Sequence, residues 1–130
     1  MKRHVWVAIG IGGGLGALAR EGVSTLGNAG WFPLNFFTIN IVGSFLIGIV
    51  MALSVEYELL PAAWRMFLGV GFLGGFTTFS TYMLGVHDLL RTSLWQGVVY
   101  LLGAWGIGLV AVYGGLVAVR SLLHWVKTAE

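Results

Sequence analysis

Four long apolar stretches dominate this chain of 130 residues and limit the folds that it can adopt. They run at about residues 5–26, 34–55, 61–90 and 93–123, and each is close to the ~20 residues that a helix needs to cross a bilayer. Hydrophobic residues make up 58% of the chain and charged residues 9%, which is more apolar surface than a soluble domain of this size can bury. We therefore predict an all-α membrane protein with a single four-helix transmembrane domain over residues 1–130.

The few charges and the absence of cysteine exclude several other classes of protein. Lys and Arg form no run beyond Lys2-Arg3, so no nucleic-acid partner is expected. Without cysteine the chain has no disulfide, catalytic thiolate or Cys-ligated metal. No Ser-His-Asp or paired-carboxylate arrangement is visible, so an enzyme is not indicated. The N-terminal apolar run continues past Gly16 to Arg20-Glu21, and we interpret it as a membrane span and not as a signal peptide.

The third stretch has a composition that is unusual for a helix facing lipid. Glycines at 71, 74 and 75 precede four hydroxyl residues within positions 77–81. Backbone that is freed from helical hydrogen bonds at membrane depth must be buried in protein or line a cavity. Hydroxyls and free carbonyls can replace the water around an ion. The pattern therefore predicts that the third helix is broken near the bilayer centre, at an ion pathway.

Side chains near this pathway have both a structural and a functional interpretation. Asn40 can form an interhelical hydrogen bond or donate to an anion. Phe79 and Tyr82 share a helix face, where they can pack in the core or turn their electropositive ring edges towards an anion. Arg20 is either an interfacial side chain or part of an electropositive vestibule. The residues alone leave these alternatives open.

Small residues and charges bear on assembly and orientation. Glycine pairs such as Gly12/Gly16 have the spacing that lets helices approach closely, and we expect most glycines to serve packing. Four helices are too few to surround a wide pore, so we expect an oligomer, most simply a dimer. Five cations on one side against two on the other favour a cytoplasmic N-terminus. The two groups are Lys2, Arg3, Arg65, Arg120 and Lys127, and Arg20 and Arg91.

Three motifs, in order along the chain, resemble the Fluc/CrcB family of small fluoride channels. They cover residues 12–20 (GGGLGALAR), 40–45 (NIVGSF) and 71–82 (GFLGGFTTFSTY), and the third is the most specific. With the length and the four spans, the resemblance extends over essentially the whole chain. It implies a multi-pass protein of the bacterial plasma membrane that exports fluoride passively and so reduces fluoride toxicity in the cytoplasm.

The resemblance also implies an assembly and a bound ion. The assembly is an antiparallel, dual-topology homodimer with two fluoride pores along the subunit interface. The ion is a structural sodium at the dimer centre, which is not transported and is held by the backbone carbonyls of Gly74 and Thr77. The charge difference between the two sides is at odds with dual topology, which requires little bias.

Carried over from the family pattern, the residues of the fluoride pore are Asn40, Phe79, Tyr82, Ser80, Thr81 and Arg20. Asn40 supplies a donor amide, Phe79 a ring edge, and Ser80 and Thr81 hydroxyl contacts. Tyr82 departs from the pattern, because the family has a second pore phenylalanine there, and it adds a hydroxyl to the ring edge. Tyr100 matches a pore tyrosine of the fourth helix, about one residue out of register.

Two other functions stay open on the sequence alone. A small four-helix multidrug exporter is equally short and can be antiparallel, but proton-coupled export normally uses a carboxylate embedded in the membrane. Glu21, beside Arg20 and near a span end, is the only candidate for that carboxylate. The other alternative is a non-conducting accessory subunit of a larger membrane complex.

Overall fold

The computed structural model describes residues 3–25 and 33–129, and within these ranges it contains helices and no strands. The predicted end of the first span at Leu26 and the predicted loop 27–33, apart from Pro33, lie outside the described residues. The helices are α1 (Arg3–Thr25), α2 (Leu34–Met51), α3 (Ala62–Arg65), α4 (Gly74–Phe76), α5 (Phe79–Thr92) and α6 (Leu94–Ala129). Wider π-helical turns extend α2 over Ala52–Glu56 and join α3 to α4 over Met66–Leu73.

Three of the described helical segments are long and apolar enough to cross a membrane, namely Leu34–Glu56, Ala62–Thr92 and Leu94–Thr128. Helix α1 has 23 residues, but its many glycines, Arg20 and Glu21 lower its hydropathy. The all-helical membrane fold predicted from the sequence is therefore confirmed. The fourth helix is longer than predicted, since it continues past Leu123 to Ala129.

The third span is broken in its middle, as predicted. Thr77 and Thr78 both have extended backbone, with φ/ψ of −78°/156° and −145°/121°. We call residues 62–76 the first half-helix and α5 the second half-helix. Pro61 precedes the first half-helix, where its missing N–H costs no helical hydrogen bond. Only the short α4 (Gly74–Phe76) separates the wide π-helical turns from the break, so the backbone is irregular on the approach to the break as well.

Glycines bring α1 and the first half-helix into direct backbone contact. A Cβ atom on Gly12 would lie 2.5 Å from the Phe67 carbonyl oxygen, and one on Gly16 would overlap the carbonyl of Phe72. Helices α2 and α6 approach in the same way, with Gly48 against the carbonyl of Val112. The predicted use of glycine for helix packing is confirmed at these seams.

The outer surface of the helices is largely apolar. Only 11% of the most apolar window of α6 is buried within the chain, so most of this helix must be covered by lipid or by another chain. At one end of the bundle Glu56 accepts a hydrogen bond of 2.9 Å from Nε of Arg120, and Nη2 of the same guanidinium contacts the other carboxylate oxygen. This ion pair ties the end of the second span to α6.

Candidate functional site

An open cleft of about 360 Å³ lies where α2 passes the break in the third span. Its lining residues come from α2 (Asn40, Gly43, Ser44, Ile47) and from the third span (Gly69, Leu73, Gly74, Thr77, Thr78, Phe79). The cleft therefore brings together four residues that the sequence predicted for the site, which are Asn40, Gly74, Thr77 and Phe79. Ser80, Thr81, Tyr82 and Arg20 do not line it.

The side chain of Asn40 is paired with the backbone of Thr78. Its Oδ1 accepts a hydrogen bond of 2.9 Å from the Thr78 N–H, and its Nδ2 donates to the Thr78 carbonyl at 3.0 Å. The amide thus satisfies extended backbone that no helix can satisfy. One N–H of the Asn40 amide is committed to this pair, and its second N–H is the donor that remains for another ligand.

The pairing with Asn40 changes the hydrogen bonding of Gly74. In an unbroken helix the Thr78 N–H would donate to the carbonyl of Gly74, four residues earlier. Here it donates to Asn40, so the Gly74 carbonyl loses its helical donor beside the cleft. A Cβ atom on Gly74 would meet no atom within 4 Å, so this position faces open space within one subunit.

Thr77 is fixed from three directions. Its Oγ1 donates to the Leu73 carbonyl at 2.9 Å, and its methyl group sits against Gly43, where no Cβ atom would fit. Its carbonyl accepts a hydrogen bond of 3.4 Å from Nη1 of Arg20. The guanidinium thereby reaches the C-terminal end of the first half-helix, where the helix dipole favours a positive charge. Arg20 is half-buried, and this contact places its guanidinium at the break.

Thr78 is the N-cap of the second half-helix, a role that the sequence interpretation missed. Its Oγ1 accepts from the Thr81 N–H at 3.3 Å and donates to the Thr81 hydroxyl at 3.1 Å. The Ser80 hydroxyl lies 3.4 Å from the same oxygen. The signal was present, since a threonine before an apolar helical pattern is a preferred N-cap. The three hydroxyls form one cluster at the start of the second half-helix.

The two aromatic residues of the site differ sharply in exposure. Phe79 is 68% exposed at the edge of the cleft, whereas Tyr82 is 3% exposed and packs against α6. Their ring centroids are 6.3 Å apart. Tyr82 stacks on Tyr100, with centroids 5.2 Å apart.

Two opposite helix ends meet at the cleft. The first half-helix presents the partial negative charge of its C-terminus, including the carbonyl of Gly74, and the second half-helix presents the partial positive charge of its N-terminus. The N–H groups of Phe79 and Ser80 are the first two of a helix and have no helical acceptor. No group of three or more His, Asp or Glu side chains that could hold a metal ion occurs in the described ranges. The arrangement places partial charges of opposite sign at neighbouring positions of the cleft.

A family model and several known proteins are similar to this chain over most of its length. The family model "CrcB-like protein, Camphor Resistance (CrcB)" matches residues 7–116. "Fluoride-specific ion channel FluC" of Saccharophagus degradans is 36% identical over 126 residues, which cover 92% of each chain. The protein of the same name from Chlorobium phaeobacteroides is 42% identical over 113 residues, 85% of this chain and 88% of the relative. "Fluoride-specific ion channel FluC 1" of Listeria monocytogenes is 38% identical over 115 residues, 85% of this chain and 93% of the relative.

Proposed function

The chain belongs to the CrcB family, and we propose that it is a fluoride-selective channel that exports fluoride passively across the bacterial plasma membrane. Relatives that span nearly the same length carry the name of a fluoride-specific channel. The observation that supports this most is the broken third span, whose free backbone groups face an open cleft at membrane depth. Such backbone occurs in membranes where it lines a cavity or an ion path.

The chemistry of the cleft suits a small, strongly hydrated anion. Fluoride gives up its water only where hydrogen-bond donors replace that water, and it leaves only if it is not held too strongly. The second N–H of Asn40 and the N-terminus of the second half-helix supply donors without a full positive charge. The exposed ring of Phe79 can add its electropositive edge. Ser80 and Thr81 would act outside the cleft, in the hydroxyl cluster at the start of the second half-helix. Arg20 would act in a vestibule of the pore.

One subunit alone does not enclose a path, since the cleft is open on one side and most of the apolar surface is uncovered. A second copy of the chain would close it, and an antiparallel pair would form two equivalent pores. To test this, single-cysteine variants at the termini are labelled with reagents that reach one side of the membrane only. Labelling of both sides supports the antiparallel dimer, and labelling of every terminus on one side contradicts it.

The break also fits a structural sodium ion. The Gly74 carbonyl lacks its helical donor, and the Thr77 carbonyl has a second lone pair besides the one that accepts from Arg20. Carbonyl oxygens are the hard ligands that such a cation prefers. Because Gly74 faces open space in one subunit, Gly74→Val should leave the subunit fold intact and disturb only the ion and the second subunit across the cleft. If dimer stability and fluoride flux are unchanged both in this variant and in the parent in sodium-free buffer, the protein has no structural sodium ion at the break.

Three functions are separated by one flux assay on purified protein in liposomes. Rapid downhill fluoride efflux, measured with a fluoride electrode and independent of a proton gradient, is expected for the channel. Exchange of a cationic drug that depends on protons would indicate the exporter. The absence of both activities would indicate the accessory subunit. Glu21, the carboxylate that the sequence offered for proton coupling, is exposed near the end of α1 and does not line the cleft, so the structure gives the exporter no support.

A further inference from the structure

A pair of buried tyrosines lies behind the cleft, where the second half-helix packs on α6. Tyr82 is 3% exposed and Tyr100 is 1% exposed. Their rings are stacked, with centroids 5.2 Å apart and an interplanar angle of 29°. Burial of two phenol groups at membrane depth is favourable only if both hydroxyls find partners.

Both hydroxyls are committed to backbone carbonyls. Oη of Tyr82 donates to the Leu101 carbonyl of α6 at 2.7 Å. Oη of Tyr100 donates to the Pro33 carbonyl at 2.9 Å, directly before α2 begins. The two hydrogen bonds link the second half-helix to α6, and α6 to the start of α2. The hydroxyl of Tyr82 therefore points into the protein and not into the cleft.

The break makes such a link necessary. Because Thr77 and Thr78 are extended, the rotation of the second half-helix about its axis is not imposed by the first half-helix. Contacts from its own side chains have to set that rotation. Phe79, one turn before Tyr82, is 68% exposed, so its own packing does little to hold it in place. Its ring contacts Tyr82, at a centroid distance of 6.3 Å.

We propose that the Tyr82 hydroxyl is a positioning group, which sets the rotation of the second half-helix through the Leu101 carbonyl and so places the Phe79 ring at the cleft. It does not bind the anion itself. The inference rests on the proposed function, because the effect of the Phe79 position is measured as fluoride flux. The hydroxyl acts through the helix, so its loss should slow conduction without changing which anion passes.

The experiment compares Tyr82→Phe with replacement of Tyr82 by p-aminophenylalanine, which keeps a hydrogen-bond donor at the para position. Tyr113→Phe is the matched control, since Tyr113 lies on α6 and is 62% exposed. Liposomes with at most one channel each give two separate quantities, the fraction of active vesicles and the efflux rate per channel. Thermal melting of the purified protein and fluoride-to-chloride selectivity are measured on the same samples.

We expect Tyr82→Phe to lower the melting temperature and to reduce the rate per channel by up to about fivefold, the value of one net hydrogen bond. Selectivity should not change, the amino analogue should restore both quantities, and Tyr113→Phe should alter neither. A lower melting temperature with an unchanged rate per channel would reduce Tyr82 to a purely structural role and overturn the proposal. Changed selectivity with unchanged melting would mean that the hydroxyl meets the anion, which also overturns it, as does no effect at all.

Failure of the proposed function has a different signature. A parent protein that carries no fluoride refutes the channel. The melting temperatures of Tyr82→Phe and of the amino analogue then still test the bond to Leu101, because they do not depend on transport.

Discussion

Replacement of Asn40 tests how the break in the third span is held. In Asn40→Ala the Thr78 N–H loses its acceptor and the Thr78 carbonyl loses one of its donors. An orphaned N–H at membrane depth costs about 1–3 kcal/mol and the second lost hydrogen bond about 1 kcal/mol, a total of about 2–4 kcal/mol. For a domain of about this size, such a loss of free energy lowers the melting temperature by on the order of 10 °C.

Asn40→Asp separates the two hydrogen bonds. The carboxylate still accepts from the Thr78 N–H, but its other oxygen replaces an N–H that lies 3.0 Å from the Thr78 carbonyl. Two oxygens then face each other until the acid is protonated and can donate. We therefore expect the deficit in melting temperature of Asn40→Asp, relative to the parent, to shrink as pH falls, whereas the deficit of Asn40→Ala should not.

The assay is thermal melting of the purified protein, followed by tryptophan fluorescence across a pH series. Thr25→Ala is the control, because the Thr25 hydroxyl is exposed and donates to the Gly22 carbonyl of its own helix. If Asn40→Ala melts with the parent, or if Asn40→Asp follows Asn40→Ala at every pH, the amide does not hold the break.

Three further substitutions test other parts of the structure. Gly16→Ala forces a methyl group against a carbonyl of the first half-helix and should lower the free energy of unfolding by roughly 1–3 kcal/mol. Its control, Gly10→Ala on the same helix, meets no atom and should be neutral or stabilising. Equal melting temperatures of the two variants would contradict the close packing of α1 on the first half-helix. Phe79→Ile removes an exposed ring edge and should keep the melting temperature while most fluoride efflux from liposomes is lost; undiminished efflux would remove Phe79 from the pore. Glu56→Gln weakens the contact with Arg120, which is solvent-accessible, so we expect a small drop in melting temperature that shrinks with added salt; a large drop that is insensitive to salt would contradict this.

The broken third span could be predicted because its cause is local. Glycines followed by hydroxyl residues are a poor helical sequence, and the break occurs at Thr77 and Thr78, within that run. The lengths of the apolar spans were also predictable, because the thickness of the bilayer sets them. The predicted end of α6 was wrong, because residues 124–129 stay helical although His124, Lys127 and Thr128 make them less apolar than a membrane span.

The partners of the site residues could not be predicted, because they depend on how the helices are rotated against one another. The sequence marked Asn40 as a membrane amide, but not that both of its hydrogen bonds go to Thr78. It placed Phe79 and Tyr82 on one helix face, although one ring is exposed at the cleft and the other is buried on α6. Nothing local to Arg20 indicated its contact with the carbonyl of Thr77.

The cleft at the break, on the proposed function, belongs to a passive, fluoride-selective pathway. Its most direct test is the reversal potential of the current through the purified protein in a planar bilayer, with unequal fluoride on the two sides. We expect a current that reverses at the equilibrium potential of fluoride, with a reversal potential that does not shift when chloride or protons are made unequal. A reversal potential that follows chloride or protons, or a silent bilayer with correctly assembled protein, would contradict it.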